Sequence, residues 1–569
     1  MRGLLVQYPN TMDKTVITST WAWADTVTLS MFFVGMIAVV VWVMRLKVET
    51  SSDYFLAGRD AGWLAIGASI FASNIGSEHV VGLAGAGASS GMAMAHWEMH
   101  AWLILLLGWV FVPFYARSMV YTMPEFLERR FSPAVRSFLS LISLVGYVLT
   151  KVAVTVYAGG VVFKEVLGIE SWMGIDFFWI GAISLVVITG IYTVVGGMKS
   201  VLYTSLLQTP ILLMGSLSIL VIGLAQLGGW SEFERITAAT KTEFGDSMLS
   251  LIRSPDDTVF PWTGVLFASP IIGFWYWCTD QYIVQRVLSG RNQREARRGT
   301  IFGGYLKLTP VFIFLIPGMI AFSLNQKGLM SLEDPDAAFP MLVATLLPAG
   351  MKGIVVGGLA AALMSSLASL FNSSAMLFTV DFYKKYRPNA SEKKLVFVGR
   401  VATATVVVLG VMWIPVMRGM GQALYVYLQD VQSLLAPGIA AVFLLGVFWK
   451  GATAAGGLAG LIFGFSFGML RLVVTVGRDS IDPGSLLYQL VLSPNWLHYS
   501  IYLFLASLTV IWLVSRVTEK PTAEMLQGLT YGSATPEQIA VTRNSWDVSD
   551  VTHSLVIVGA IVIFYVYFW

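Results

Sequence analysis

Hydrophobic residues run along this chain in long blocks that are separated by shorter polar stretches. A helix that crosses a membrane needs about 20 predominantly apolar residues, and reading the chain for such blocks predicts about fourteen spanning helices. Their centres lie near Ile37, Gly76, Leu106, Val145, Ser184, Met214, Trp275, Phe312, Leu363, Val408, Val442, Phe463, Leu505 and Ala560. The pattern predicts an all-α polytopic membrane protein, with one transmembrane domain over residues 1–569.

Lysine and arginine fall mainly in alternate loops between the predicted helices. The cation-rich loops contain Arg45, Lys47, Arg59, Arg117, Arg129, Arg130, Arg136, Lys199, Arg286, Arg291, Arg294, Arg297, Arg298, Lys384, Lys385, Arg387, Lys393, Lys394, Arg400 and Lys450. The loops between them are poorer in cations, and the longest, residues 228–260, carries many carboxylates. Because cation-rich short loops are cytoplasmic as a rule, the first loop is predicted to lie inside and both termini outside.

Two of the predicted helices are interrupted. The first broken segment, residues 62–91, is dense in Gly, Ala and Ser and carries Asn74 near its middle. The second broken segment, residues 266–286, has Pro270 and Gly273 ahead of an aromatic run. Unwound backbone is tolerated at membrane depth only where it lines a cavity or is buried in protein. Interrupted helices at matching positions of two halves indicate the midplane site of a transporter. Four more spans follow each segment, which predicts two five-helix repeats of opposite topology.

Composition supports the membrane assignment and excludes some partners. The chain is 56% hydrophobic and 12% charged, whereas soluble domains carry about 25% charged residues. Most of its surface must therefore face a lipid bilayer. The net charge of +3 is small and sits in short loops, so nucleic acid is not a predicted partner. The single cysteine, Cys278, excludes an intramolecular disulfide.

Ionisable residues inside apolar spans usually face the interior of the helix bundle. The candidates are Glu78, Glu98, Lys151, Asp280 and Lys307. Lys151 and Asp280 have two interpretations, as structural partners or as side chains that snorkel toward an interface. Glu98 and Lys307 are predicted to pair across a cavity, where the carboxylate accepts hydrogen bonds from hydroxyl groups and the ammonium donates them. This arrangement favours a neutral polyhydroxylated ligand.

Two other features have both a structural and a functional interpretation. The aromatic run at residues 275–277 supplies a flat apolar face for a sugar ring, although such runs more often serve packing. The serine-rich segment, residues 361–383, carries hydroxyls that usually bond to carbonyls or to neighbouring helices. Alternatively, Ser365 and Ser366, with carbonyls freed by a broken helix, provide the oxygen ligands that a hard cation such as sodium needs.

Seven ordered motifs between about residues 54 and 450 resemble a known family. They read FASNIGSEHVVGLAG, TMPEFLERRF, YTVVGGMKSVLYTSLLQT, WYWCTDQYIVQR, GGYLKLTP, SSLASLFNSSAMLFTVDFY and GIAAVFLLGVFWK. They are similar to the sodium/solute symporter family, and to its sodium/glucose (sodium/galactose) cotransporter branch. The resemblance implies a LeuT-like fold of fourteen helices and alternating access with inward cotransport of sodium and sugar. It implies an extra N-terminal helix at about 27–45, inverted repeats at about 61–227 and 261–449, and three further helices at about 452–569.

Residue by residue, the resemblance also implies a site. The sugar-binding positions are Asn74, His79, Glu98, Tyr276, Trp277, Lys307 and Gln429. The sodium-binding positions are the carbonyls of Ala72, Ile75 and Ala362 and the hydroxyls of Ser365 and Ser366. Gly273, Val426 and Gln432 depart from the family pattern, which leaves the exact sugar open. Ser205 stands where some members have an Asp associated with a second sodium ion, so one sodium per sugar is expected.

Several alternatives remain beside sugar import. Myo-inositol or another polyol suits the same hydroxyl-matching groups, and a sugar sensor without net transport would share the site. Transport is favoured over sensing because no output domain is evident. A membrane-embedded enzyme is not favoured, because no HExxH spacing occurs; His96 and His100 are interpreted as polar residues near a helix end. A proton carried by Glu78 is an alternative to sodium as the coupling ion. The neutral oxygen ligands offered by Ser365 and Ser366 favour sodium. The short loops and low cysteine content indicate a bacterial inner membrane.

Overall fold

The computed structural model describes residues 21–45, 49–76, 78–419 and 424–569, and it is almost entirely helical. In the first half, α-helices run over Trp23–Met44, Ser51–Leu56, Trp63–Asn74, Ala84–Ser90, Ala95–Glu98, Ala101–Leu106, Val112–Ser118, Met123–Arg130, Pro133–Gly146, Ala153–Leu167, Phe177–Leu227 and Trp230–Ala239. In the second half, they run over Trp262–Phe274, Gln281–Leu288, Gln293–Lys307, Ile316–Gln326, Ala338–Leu346, Met351–Met376, Lys384–Tyr386, Glu392–Gly419, Leu424–Phe448, Ala454–Val476, Trp496–Val517, Ala523–Leu526, Pro536–Arg543 and Val548–Tyr567.

Shorter elements connect these helices. Wider π-helical turns lie at Glu78–Leu83, Leu107–Phe111, Tyr147–Val152, Trp275–Thr279, Val311–Leu315, Leu377–Tyr383 and Tyr488–Leu492. Turns of 3-10 helix lie at Ala57–Arg59, Gly91–Met94, Pro335–Ala337, Arg478–Ser480 and Tyr531–Ser533. The strands Ser171–Trp172 and Ile175–Asp176 pair antiparallel in a small hairpin.

Ten helical stretches among the described residues are long and apolar enough to cross a membrane. The predicted number of fourteen spans is not confirmed by this count. Interrupted spans leave pieces that are too short to qualify, such as Trp63–Asn74 and Pro133–Gly146. The 51-residue stretch Phe177–Leu227 also lowers the count, because it is counted as one span but contains two of the predicted spans.

The stretch Phe177–Leu227 is broken at Gly197. A straight helix of this length would measure roughly 75 Å, far more than the ~30 Å of a bilayer core. Gly197 has a φ of +55° and a ψ of −144°, outside the helical region. A Cβ atom there would lie 2.4 Å from the carbonyl oxygen of Tyr54. The break therefore needs glycine both for its backbone conformation and for its close approach to the segment at Tyr54.

Both broken segments are interrupted in the structure. In the first, the helix Trp63–Asn74 ends at Ile75, whose backbone is extended, and helical turns resume from Glu78. In the second, the helix Trp262–Phe274 passes through Pro270 and Gly273 without stopping, and the extended residue is Asp280. The break thus lies at the end of the aromatic run rather than at the proline. The carboxylate of Asp280 accepts from the backbone N–H of Tyr282 and so caps the helix that follows.

The helix Met351–Met376, which carries most of the serine-rich segment, lies in the centre of the protein. Every residue of this helix from Val355 to Met376 is buried. It packs against the helix Phe177–Leu227 and against the first broken segment. Its serine hydroxyls therefore face protein rather than lipid.

Lys151 and Asp280 are structural partners and do not snorkel toward an interface. Lys151 Nζ lies 2.7 Å from Asp280 Oδ2, and both side chains are buried. Tyr147 also donates a hydrogen bond to the Asp280 carboxylate. The ammonium lies 4.8 Å from the centre of the Tyr276 ring and 4.6 Å from that of Tyr282. The pair ties the turn Tyr147–Val152 to the break of the second broken segment.

We predict that Gly197→Ala destabilises the protein by about 1–3 kcal/mol, because the new Cβ meets the Tyr54 carbonyl and the left-handed φ is strained. Thermal unfolding of the purified protein in detergent measures this loss. Gly559→Ala is the matched control, because Gly559 is helical and a Cβ there has nothing within 4 Å. Equal melting temperatures for the two variants would contradict the role of Gly197.

Candidate functional site

A buried ion pair joins the residues that follow the first broken segment to the second half of the chain. Lys307 Nζ lies 2.6 Å from Glu98 Oε2, and each side chain is about 4% exposed. The same ammonium donates to Asn74 Oδ1 at 3.1 Å. The Asn74 amide in turn donates to the Tyr276 hydroxyl at 3.2 Å. Four of the predicted sugar-binding residues therefore form one hydrogen-bonded group, as their predicted pairing across a cavity requires.

The ends of three helices position these side chains. Glu98 ends the short helix Ala95–Glu98, and Lys307 ends the helix Gln293–Lys307, just before Pro310. Asn74 is the last residue of its helix before the break. Each polar group thus stands at a helix end, where it reaches across to a different element.

Two more of the predicted residues complete this group. His79 Nε2 lies 3.4 Å from Glu98 Oε1, a contact that lacks the geometry of a hydrogen bond. Lys307 Nζ lies 5.3 Å from the centre of the Trp277 ring, within the range of a cation–π interaction. The ammonium therefore has a carboxylate, an amide oxygen and an aromatic face around it.

These side chains surround a small cavity of about 50 Å³, which holds only a few water molecules. Its walls are Asn74, His79, Trp97, Glu98, His100, Ile272, Gly273, Tyr276, Trp277, Lys307 and Gln432. A ring-sized solute needs these walls to move apart, as a transporter that opens in turn to each side requires.

Five of the wall residues were not among the predicted sugar-binding positions: Trp97, His100, Ile272, Gly273 and Gln432. Gly273 and Gln432 were recognised only as departures from the family pattern. The interpretation of His96 and His100 as polar residues near a helix end is incomplete, because both are buried. His96 is held by the Tyr565 hydroxyl at 2.7 Å and the Leu251 carbonyl at 3.0 Å. His96 lies in the short helix Ala95–Glu98 and His100 in the turn before the helix Ala101–Leu106, so the spacing of a single helix does not relate them.

Three side chains from the sequence analysis lie outside the described part of the structure. They are those of Gln429, which is the remaining predicted sugar-binding residue, Val426 and Glu78.

A second polar centre lies next to the first, where the break of the first broken segment meets the central serine helix. Ser366 Oγ is 3.1 Å from the carbonyl oxygens of Ser73 and Ile75 and donates to them. A Cβ at Gly76 would lie 2.7 Å from this hydroxyl, so glycine allows the close approach. Carbonyls freed by the break and a serine hydroxyl therefore converge, which is the neutral oxygen set that a hard cation requires.

The predicted cation ligands divide into two sets. Ile75 and Ser366 are in contact, and the Ser73 carbonyl joins them although it was not predicted. Ser365 has a different neighbour, because its Oγ lies 3.3 Å from Ser205 Oγ. Ala72 and Ala362 are buried on the two facing helices. Among the described residues, no group of three or more His, Cys, Asp or Glu could hold a metal ion.

Ser73 and Asn74 connect the two polar centres. The carbonyl of Ser73 accepts from Ser366 and also from the hydroxyl of Tyr282 on the second broken segment. Asn74, the next residue, belongs to the group around Lys307. The two polar centres are therefore joined through two adjacent residues of the chain.

Helices that break at the centre of an apolar bundle, around a cavity with paired charges, are typical of a transporter, and the comparison of folds agrees. The solved structure of a Na+-coupled sialic acid symporter, in its substrate-bound outward-open state, superposes on this chain with a TM-score of 0.70 at 21% identity. The match covers 88% of this chain and 99% of that one. The chain therefore shares the fold of that structure.

Sequence comparison identifies the family. The model of the sodium:solute symporter family matches residues 54–464. The sodium/myo-inositol cotransporter 2 of Sus scrofa is 36% identical over 568 residues, which cover 92% of this chain and 82% of that protein. The sodium/myo-inositol cotransporter of Mus musculus is 36% identical over 565 residues, which cover 93% and 77%.

The chain belongs to the sodium:solute symporter family. It is a multi-pass membrane transporter and not an enzyme, and sodium is its coupling ion.

We predict that Lys307→Met weakens solute binding and also destabilises the protein by about 3–5 kcal/mol, because Glu98 is left as an unpaired buried charge. The double variant Lys307→Met/Glu98→Gln should recover most of the stability but not the binding. Thermal unfolding and equilibrium binding of labelled solute separate the two effects.

Lys327→Met is the matched control for this prediction. Lys327 pairs with Glu232 at 3.0 Å near the surface, where such pairs contribute about 1 kcal/mol or less. An equal loss of stability in both lysine variants would show that the buried pair has no special role.

Proposed function

We propose that this protein is a sodium-coupled symporter that imports a neutral polyhydroxylated ring by alternating access. Myo-inositol or a related cyclic polyol is the first candidate for the solute. The observation that carries the proposal is the buried group of Glu98, Lys307, Asn74 and Tyr276 beside a cavity, adjacent to the oxygen ligands around Ser366.

The chemistry of the cavity favours an uncharged solute. The charges of Glu98 and Lys307 compensate each other at 2.6 Å, so a charged solute would meet no net opposite charge there. Carboxylate, ammonium and amide groups together accept and donate the hydrogen bonds of several hydroxyl groups. The rings of Tyr276 and Trp277 offer apolar faces to the C–H groups of a ring.

The choice of a cyclic polyol rests on the relatives. Sodium/myo-inositol cotransporters of several mammals share 35–37% identity with this chain over most of its length. A hexose such as glucose or galactose is the second candidate, because the motif resemblance carries the sugar-binding positions over to Glu98 and Lys307. The two solute classes present similar hydroxyl groups, and direct competition distinguishes them.

Coupling follows from the adjacency of the two polar centres. A sodium ion bound by the Ile75 carbonyl and the Ser366 hydroxyl would hold the first broken segment against the serine-rich helix. Holding this segment in place would also fix the position of Asn74, which lines the solute cavity. Linkage is reciprocal, so a solute that binds more tightly with sodium also tightens the binding of sodium by the same factor.

The wider organisation is part of the proposal. It comprises fourteen transmembrane helices, with an extra helix at about 27–45, inverted repeats at about 61–227 and 261–449, and three helices at about 452–569. Both termini lie outside, in a bacterial inner membrane. The alternate distribution of Lys and Arg supports this orientation.

Uptake into proteoliposomes tests the proposed function directly. An inward sodium gradient should drive labelled myo-inositol into the vesicles, and unlabelled cyclic polyols should compete more strongly than hexoses. Stronger competition by glucose or galactose would assign the protein to hexoses instead. Solute binding without uptake under any sodium gradient would support a sensor and contradict the proposal.

We predict that Ser366→Ala raises the sodium concentration for half-maximal uptake by about tenfold, because one oxygen ligand is lost next to the Ile75 carbonyl. Ser365→Ala should raise it less, since its hydroxyl contacts Ser205. Ser218→Ala is the control, because Ser218 is half-buried and its hydroxyl bonds within its own helix, to the Met214 carbonyl. Unchanged sodium dependence in Ser366→Ala would rule out this sodium site.

We also predict one sodium ion per solute. Ser205 brings a hydroxyl, not a carboxylate, to the neighbourhood of Ser365, so a second sodium ion has no compensating negative charge there. Uptake should rise with sodium with a Hill coefficient near one, and one charge should move per solute. A coefficient clearly above one, with two charges per solute, would overturn this stoichiometry.

A further inference from the structure

His100 is a buried polar side chain in the wall of the solute cavity. It is 3% exposed, and its Nε2 has no hydrogen-bond partner in the part of the chain that the structure describes. A buried polar atom without a partner costs roughly 1–3 kcal/mol, and most such atoms in proteins are satisfied. The imidazole therefore lines the cavity and has a hydrogen-bonding position that no described residue uses.

Gly273 provides the space that this ring occupies. A Cβ atom at residue 273 would lie 2.7 Å from His100 Nδ1, 2.8 Å from its Cε1 and 2.5 Å from Leu103 Cδ1. Real Cβ atoms do not approach other atoms so closely, so a side chain at residue 273 would displace both the imidazole and the Leu103 methyl group. The helix Trp262–Phe274 passes through Gly273 without a break and with a helical backbone, so the local turn does not require glycine. Its role is to leave room for the ring of His100 and for the side chain of Leu103.

Other donors in the same wall are also unsatisfied. The side-chain amide nitrogen of Gln432 and the indole nitrogen of Trp97 are buried and have no hydrogen-bond partner within the described residues. Both residues line the cavity with His100. Glu98, Lys307, Asn74 and Tyr276 are hydrogen-bonded to one another, whereas the donors of this second group have no partner among the described residues. A bound solute with several hydroxyls would satisfy them.

We propose that His100 is a solute-binding residue that hydrogen-bonds a ring hydroxyl, and that Gly273 positions it. The inference rests on the proposed function, and it assigns to these two residues the recognition of one hydroxyl. A neutral imidazole offers one donor and one acceptor, so it recognises a hydroxyl without adding charge to a cavity whose charges are already compensated.

Binding of labelled myo-inositol and D-glucose to the purified protein in saturating sodium tests the proposal. His100→Phe keeps a buried ring and removes the nitrogens, so the Kd of the preferred solute should rise about tenfold. Gly273→Ala should raise the Kd similarly, because the new methyl group displaces the imidazole. In the background of His100→Ala, Gly273→Ala should have a smaller effect on the Kd than in the wild type, because the ring is absent and only the contact with Leu103 remains. Sodium binding without solute should be unchanged in all variants.

The outcomes separate a binding role from a structural one. An unchanged Kd in His100→Phe would overturn the proposal and leave the imidazole as a packing group or a partner of water. Fully additive effects of Gly273→Ala and His100→Ala would overturn the positioning role of Gly273. Equal melting temperatures of wild type and His100→Phe should show that the loss is in binding. If the wild-type protein binds neither probe, the proposed function itself fails.

Discussion

The interruption of the helix at Ile75 and Gly76 is the constraint on which the rest of the structure depends. Backbone carbonyls that leave a helix inside a membrane protein have no water to bond and must find partners in the protein. Here the carbonyls of Ser73 and Ile75 accept from Ser366, and Ser73 also accepts from Tyr282. The break thus brings the central serine-rich helix and the second broken segment to the same two residues. In the proposed function, the same oxygen atoms are the ligands of the sodium ion.

Charge inside the bundle is arranged in compensated pairs. Glu98 pairs with Lys307 beside the cavity, and Lys151 pairs with Asp280 at the break of the second broken segment. An isolated buried charge is far more costly than a pair, and removal of one partner of a pair is strongly destabilising. The pairs therefore do two things: they join distant parts of the chain, and they leave the cavity polar but without net charge. This absence of net charge is the basis for the neutral solute of the proposed function.

Much of the site could be predicted, because its chemistry is unusual for a membrane span. Glu98 and Lys307 stood out as charges among apolar residues, and the structure brings them together with Asn74 and Tyr276. The serine hydroxyls near the first break were recognisable for the same reason. Ser73 was missed because it contributes its backbone carbonyl, and not its side chain, to the oxygen atoms around Ser366. His100 was missed because it lies in a turn between two short helices. The position of the break within residues 266–286 was left open by the sequence, and the structure places it at Asp280.

The sequence by itself determined that the chain is a helical membrane protein with two broken segments, a buried acid–base pair and a serine-rich helix, since hydrophobic blocks and their interruptions are local properties. Only the tertiary structure decided which partners these groups have: Lys151 with Asp280, Ser366 with two freed carbonyls, and the imidazole of His100 in the space beside Gly273. The physical reason is that burial and hydrogen bonding at each of these points join residues far apart in the chain, and spacing along a helix carries no information about such contacts.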